Sequence, residues 1–146
     1  PQTAFYNLIG METLGLRMER ACSNAKALAE FLNTYPDITV NYPGLACSPW
    51  HDVADKVLAN GYGAILTIRV GSKERAFSVI NNLSIPKIVS NIGDTKTLII
   101  HPESTLNAHS TEKEKEDAGV FDDLIRISVG IEDIEDLIED FKAALA

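Results

Sequence analysis

The stretch Phe121–Ala146, FDDLIRISVGIEDIEDLIEDFKAALA, restricts the fold more than any other, because its hydrophobic period changes partway along. Over Leu124–Val129 successive side chains alternate faces, so Ile125, Ile127 and Val129 share one face of a strand and Leu124, Arg126 and Ser128 share the other. Gly130 ends the strand. Beyond it Ile134, Leu137, Ile138, Phe141 and Leu145 recur at helical spacing, with acidic residues on the opposite face. Glu132, Asp133, Glu135 and Asp136 fall in the opening turns, where the positive end of the helix dipole favours them.

Arg126 is the odd residue in this pattern. A guanidinium beside a buried face needs a partner, and its planar fork suits a carboxylate held by two parallel hydrogen bonds. Charges near a core are usually paired structurally, so an ion pair with one of the chain's own acids is the first expectation. A bound anion is the second.

At 146 residues the chain is expected to form one domain, residues 1–146, with a core of ordinary size. No apolar run approaches a membrane span, and no basic-then-apolar segment stands near Pro1. The net charge of −8 resides in residues 112–146, which hold twelve Asp/Glu and four Lys/Arg. An acidic end on a neutral body argues against nucleic acid, which requires a basic face. Cys22 and Cys47 form neither a disulfide framework nor a paired Cys-x-x-Cys zinc site, so a reduced, cytoplasmic protein is the expectation.

A long first helix is expected from Ala4 to Leu32, capped by Thr3, with Met18, Cys22, Ala25, Ala29 and Leu32 as its core stripe. Gly10 and Gly15 weaken its early part and mark a bend or a close contact. Residues 1–15 carry Phe5, Tyr6, Leu8, Ile9, Met11 and Leu14, too apolar for an exposed arm; something outside the chain is expected to cover them. Strand candidates follow at Ile38–Asn41, Ala64–Val70, Lys87–Ser90 and Thr97–His101, before the last strand. Helices are expected near Asp52–Ala59, from a Ser72 cap to Leu83, and over Glu112–Ala118. Several strands lie too close together for crossover connections. The expected fold is therefore α+β, a mainly antiparallel sheet of about four strands covered by helices.

Catalytic motifs are absent. His101, Glu103 and His109 have no metal-site spacing, and Ser104, Ser110 and Asp117 sit in nothing like a nucleophile elbow. Gly61-Tyr62-Gly63 precedes a strand, the wrong place for a phosphate loop. Lys56, Lys73, Lys87 and Lys96 stand in charged or exposed patterns, unlike a desolvated Schiff-base lysine. Asn91-Ile92-Gly93-Asp94 reads as a turn between strands, with the Asn91 amide available to a ligand oxygen beside Arg126 if those strands are neighbours.

Four segments carry a resemblance: Met11-Glu12-Thr13-Leu14 running into Arg17-Met18, Val40–Leu45, Ile92–Pro102 and, most specifically, Leu124–Leu137. Together they resemble the C-terminal domain of the Cys/Met-metabolism family of pyridoxal-phosphate (PLP) enzymes, and within it O-acetylhomoserine sulfhydrylases. The resemblance implies the small domain of a fold-type-I enzyme that converts O-acetylhomoserine and sulfide to homocysteine and acetate, usually as a tetramer. It implies that Arg126 holds the substrate α-carboxylate. Asn91 falls where some relatives carry a serine touching the same carboxylate, and an amide can replace that hydroxyl as donor. The Schiff-base lysine, the other PLP-binding groups and the catalytic residues are implied to lie on a separate large domain, against which residues 1–15 would pack. Glu103, Leu106 and Asn107 depart from the family's pattern. A related lyase or cystathionine synthase, a free-standing amino-acid-binding module and a purely structural oligomerisation domain are the competing readings.

Overall fold

The computed structural model describes residues 1–146. Its elements in chain order are α1 (Gln2–Glu12), α2 (Leu14–Leu32), β1 (Thr39–Asn41), α3 (His51–Val57), β2 (Ile65–Arg69), α4 (Lys73–Asn82), β3 (Lys87–Ile88), β4 (Leu98–Ile100), α5 (Glu112–Asp117), β5 (Leu124–Ser128) and α6 (Ile134–Leu145). The strands form one sheet in the order β1-β2-β5-β4-β3. Every pairing is antiparallel except that of β3 with β4. The α+β, mainly antiparallel expectation therefore holds, with five strands where about four were expected. All five fall on the candidate segments, and the slightest is β3, which keeps only Lys87 and Ile88 of the expected Lys87–Ser90 because Val89 to Thr97 leaves the ladder as a loop.

Strand β5 lies in the middle of the sheet, with Arg126 opposite Thr67 on one side and Ile100 on the other. Its alternation works as the sequence implies. Ile125, Ile127 and Val129 enter a core shared with Leu28 and Leu32 of α2, Val79 and Ile80 of α4, and Leu137 and Phe141 of α6. Helices α2, α4 and α6 thus cover one face, which turns Arg126 to the other. Helix α6 is capped by Asp133, whose carboxylate accepts from Glu135 N–H. Ser72 caps α4 in the same way, through Arg75 N–H.

Two expectations at the N-terminus are corrected. The single long helix is two helices, broken at Thr13, which takes φ −105° and ψ 4°. Arg17 stabilises the break: its Nη2 donates to the Gly10 carbonyl at 2.5 Å and its Nε to Thr13 Oγ1 at 3.2 Å, satisfying acceptors that a helix end exposes. The buried stripe of α2 is Ala21, Asn24, Ala25, Leu28, Ala29 and Leu32, leaving Met18 exposed and Cys22 half-buried. The rotation follows from Asn24, whose Nδ2 donates to the carbonyls of Gly130 at 3.1 Å and Glu132 at 2.8 Å. A buried amide has to meet such partners, and this requirement sets which side of α2 faces in.

The long connection after β4 is braced by charge. Glu103 sits between Lys115 at 2.7 Å and Lys73 at 2.8 Å, joining the loop to α4 and α5. Lys115 first, then Lys73, holds its carboxyl down at about 2, against an ordinary 4.5. A depressed folded-state pKa contributes stability above the unfolded value that is lost as pH falls through the folded one. Urea midpoints of the wild type and Glu103→Gln should accordingly differ at pH 7, with the gap narrowing below about pH 4.5 and closing near pH 2. A gap that stays constant with pH would assign the effect of Glu103 to packing alone.

Candidate substrate-carboxylate site

Arg126 is half-buried, and partial desolvation pulls its pKa down from the ordinary arginine value without discharging it. The expected structural ion pair is not there. Arg20, Arg69 and Arg75 each meet an aspartate, at 3.9 Å, 2.8 Å and 2.5 Å. Arg126 meets only backbone: its Nη2 donates to the carbonyls of Ser90 at 2.8 Å and Asn91 at 3.3 Å. Asp94, the nearest acid in that loop's sequence, is turned to its own backbone, accepting from Lys96 N–H at 3.0 Å and from Thr95 Oγ1. The physical reason lies in topology, since the acid-rich α6 is on the far face of the sheet. With Nη2 engaged, the Nε and Nη1 donors of Arg126 have no partner in the chain. Each of these free N–H groups can donate a charge-assisted hydrogen bond to an anion's oxygen.

Asn91 adjoins Arg126, but through its main-chain carbonyl; its side chain is exposed and makes no hydrogen bond within the chain. Ser90, Gly93 and Ser128 also belong to this constellation and were not among the candidate site residues. Gly93 N–H donates to Ser128 Oγ at 3.1 Å, which ties the loop to β5. The alternation already placed Ser128 beside Arg126; nothing local in the sequence marks Ser90. A cavity of about 380 Å³ lies next to this loop, lined by Met18, Ile65, Ile92, Gly93, Ser128 and Val129 among others, with Arg126 outside it.

His101 is buried with both ring nitrogens engaged. Nε2 donates to the Asp122 carbonyl at 2.7 Å, leaving Nδ1 to accept from Ser104 Oγ at 2.9 Å. It fixes a loop and is free neither as a base nor as a metal ligand. Among the lysines, only Lys73 and Lys115 are half-buried, and both are held by Glu103. Lys115 is kept charged, its pKa raised by Glu103 and Glu112. The other six lysines are exposed.

The fold is an α+β domain whose central strand carries a half-buried guanidinium with no acid partner. Over residues 1–146 the sequence matches the family model described as Cys/Met metabolism PLP-dependent enzyme. The chain belongs to that family. It is 46% identical over 147 residues to the homocysteine synthase of Schizosaccharomyces pombe, covering 99% of this chain and 34% of that protein. It is 43% identical to the L-methionine gamma-lyase of Fusobacterium nucleatum subsp. polymorphum, over 99% of this chain and 37% of that one. A Campylobacter jejuni crystal structure described as an O-acetylhomoserine (thiol)-lyase, with pyridoxyl phosphate on a lysine, superposes with a TM-score of 0.95 at 39% identity, over 99% of this chain and 35% of that chain. The O-acetylhomoserine sulfhydrylase of Wolinella succinogenes gives a TM-score of 0.86 at 35% identity, covering 100% of this chain and 39% of the other. The chain thus spans about a third of the length of the curated relatives it matches. The family is PLP-dependent and acts in sulfur amino-acid metabolism.

Proposed function

We propose that residues 1–146 are the C-terminal, substrate-carboxylate-binding domain of a PLP-dependent O-acetylhomoserine sulfhydrylase, which forms homocysteine and acetate from O-acetylhomoserine and sulfide. The observation that carries this is Arg126 itself, a cation in the central strand with no acid of its own and with its Nε and Nη1 donors unused within the chain. PLP, held by the larger part of the enzyme, supplies the electron sink, and this chain supplies orientation. Arg126 grips the α-carboxylate, and the Asn91 amide, free of other partners, donates to the same group. Fixing one end of the amino acid sets the position of Cα–H relative to the cofactor, which is where an orientation effect acts on rate.

The experiment is to purify the full-length, PLP-bound protein and supply O-acetylhomoserine with sulfide. Homocysteine and acetate should appear in equal amounts. Cleavage of methionine to methanethiol, with no homocysteine formed from the acetyl ester, would replace the sulfhydrylase reading by that of a lyase.

Residues 1–15 are the packing segment toward the PLP-holding domain, within a cytoplasmic homotetramer. The support is α1, where no residue is buried and Phe5, Tyr6, Leu8, Ile9 and Met11 are all exposed. Leu8→Asp should leave the melting temperature of the 146-residue chain unchanged to within about 2 °C, as expected for a surface site. In the full-length protein the same change should disrupt assembly, read by size-exclusion chromatography with light scattering. Assembly unaffected by Leu8→Asp would remove α1 from the interface.

A further inference from the structure

The direction of Arg126 is set by a loop, and the loop is set by β5. Nη2 is held by the carbonyls of Ser90 and Asn91, which lie between β3 and β4 outside the strand ladder. Near these carbonyls, Gly93 N–H donates to Ser128 Oγ at 3.1 Å. Further along, Ile131 N–H donates to the Thr95 carbonyl at 2.9 Å. Ser128 follows Arg126 by two positions on the same strand face and is 2% exposed. The one polar group of β5 besides the guanidinium therefore anchors the turn that aims the guanidinium.

We propose that Ser128 is a positioning residue for the carboxylate site. Its hydroxyl pins Gly93, the pinned turn presents the Ser90 and Asn91 carbonyls, and these occupy Nη2 so that Nε and Nη1 are left for the ligand. The residue type fits the task. An aspartate at this position could accept from Gly93 as well, but roughly 7 Å along the same face it would bring a negative charge into competition with the ligand for Arg126. Serine supplies an acceptor without that charge. Gly93 completes the device with φ +75°, a left-handed turn that lets its N–H face the strand.

The inference rests on the reading of Arg126 as the carboxylate anchor, and the test separates the two. In the full-length PLP-bound enzyme, inhibition by L-homoserine is compared with inhibition by 3-amino-1-propanol, the same molecule without its carboxylate. Ser128→Ala should weaken homoserine by about 5- to 20-fold, the loss of one buried hydrogen bond, and leave the amino alcohol within about twofold. KM for O-acetylhomoserine should rise while kcat stays within about threefold, the pattern of lost ground-state binding. In an Arg126→Ala background, Ser128→Ala should weaken homoserine no further. If Arg126→Ala itself leaves homoserine binding intact, the carboxylate reading falls. If Arg126→Ala weakens homoserine but Ser128→Ala weakens neither probe, weakens both equally, or adds its full effect in the double variant, the Ser128 inference alone falls. Gly93→Ala keeps the test decisive should Ser128→Ala fold poorly, since its added Cβ meets nothing within 4 Å but the backbone conformation is disfavoured. A homoserine-specific loss there supports the inference, and a loss shared by both probes overturns it.

Discussion

Arg126→Ala in the full-length PLP-bound protein should lower kcat/KM for O-acetylhomoserine by about 10²–10³-fold, with PLP still bound and the fold intact. The size combines a charge-assisted pair of hydrogen bonds, about 1.5–3 kcal/mol, with misalignment of the substrate over the cofactor. The stability half of the prediction is the sharper one. A structural ion pair, once broken, leaves an uncompensated acid behind and destabilises the fold. Arg126 has no acid; its partners are two carbonyls in an exposed loop, which water can satisfy in its absence. The melting temperature of the variant should therefore fall by no more than about 3 °C. Lysine, a point charge without the fork, should recover at most about a tenth of the lost activity. Steady-state kinetics, the visible absorbance of bound PLP and a thermal melt decide the matter together. Turnover within threefold of wild type would end the anchor role, and a large loss of stability with activity retained would restore the ion-pair reading.

What the amino-acid order disclosed about this domain divides by the range of the interactions involved. The face alternation of β5, the stripe of α6 and the Ser72 cap of α4 depend on neighbours within a few residues, and all stand in the structure as the periodicity implied. The packing of α2 does not. Its stripe was assigned from apolarity alone, whereas the buried Asn24 reaches carbonyls more than a hundred positions away and rotates the helix. Glu132 shows the same limit. By spacing it is one more acid at a helix start; in the fold its carboxylate accepts from Thr97 N–H at 2.5 Å and Thr97 Oγ1 at 2.9 Å. The unusual status of Arg126 was legible, since an arginine in a buried strand is conspicuous. That it lacks an acid was not, because pairing depends on which face the acidic helix covers. Asn91 was placed beside it through strand adjacency, but that the contact is made by a carbonyl rather than the amide is a property of backbone geometry.

Gly130→Ala should be the most damaging single-methyl addition in the chain. The position does not need glycine for its conformation, as its φ is not positive. It needs the space. A Cβ there would stand 2.5 Å from Glu132 Oε2, 2.6 Å from the Lys96 carbonyl carbon and closer still to the Thr95 carbonyl oxygen. Two of those three atoms are backbone and cannot rotate away. Glu132 could move only by releasing Thr97, whose Oγ1 in turn accepts from Gly130 N–H at 3.0 Å. Asn24 holds the next peptide unit through the Gly130 carbonyl. Overpacking costs about 1–3 kcal/mol, and each displaced buried hydrogen bond about another 1 kcal/mol, so a loss of roughly 3–5 kcal/mol is expected. Against a typical total of about 5–15 kcal/mol this is a large share, equivalent to a fall in melting temperature of about 10–15 °C. Gly15→Ala is the control. It adds the same methyl in the first turn of α2 with nothing within 4 Å, and a helix favours alanine over glycine by up to about 1 kcal/mol, so its melting temperature should rise slightly. Thermal melts of the two variants by circular dichroism should move in opposite directions. A Gly130→Ala melt within 3 °C of wild type would mean that the 95–97 loop yields to β5 rather than being locked against it. The rigid support inferred for the loop that aims Arg126 would then have to be withdrawn.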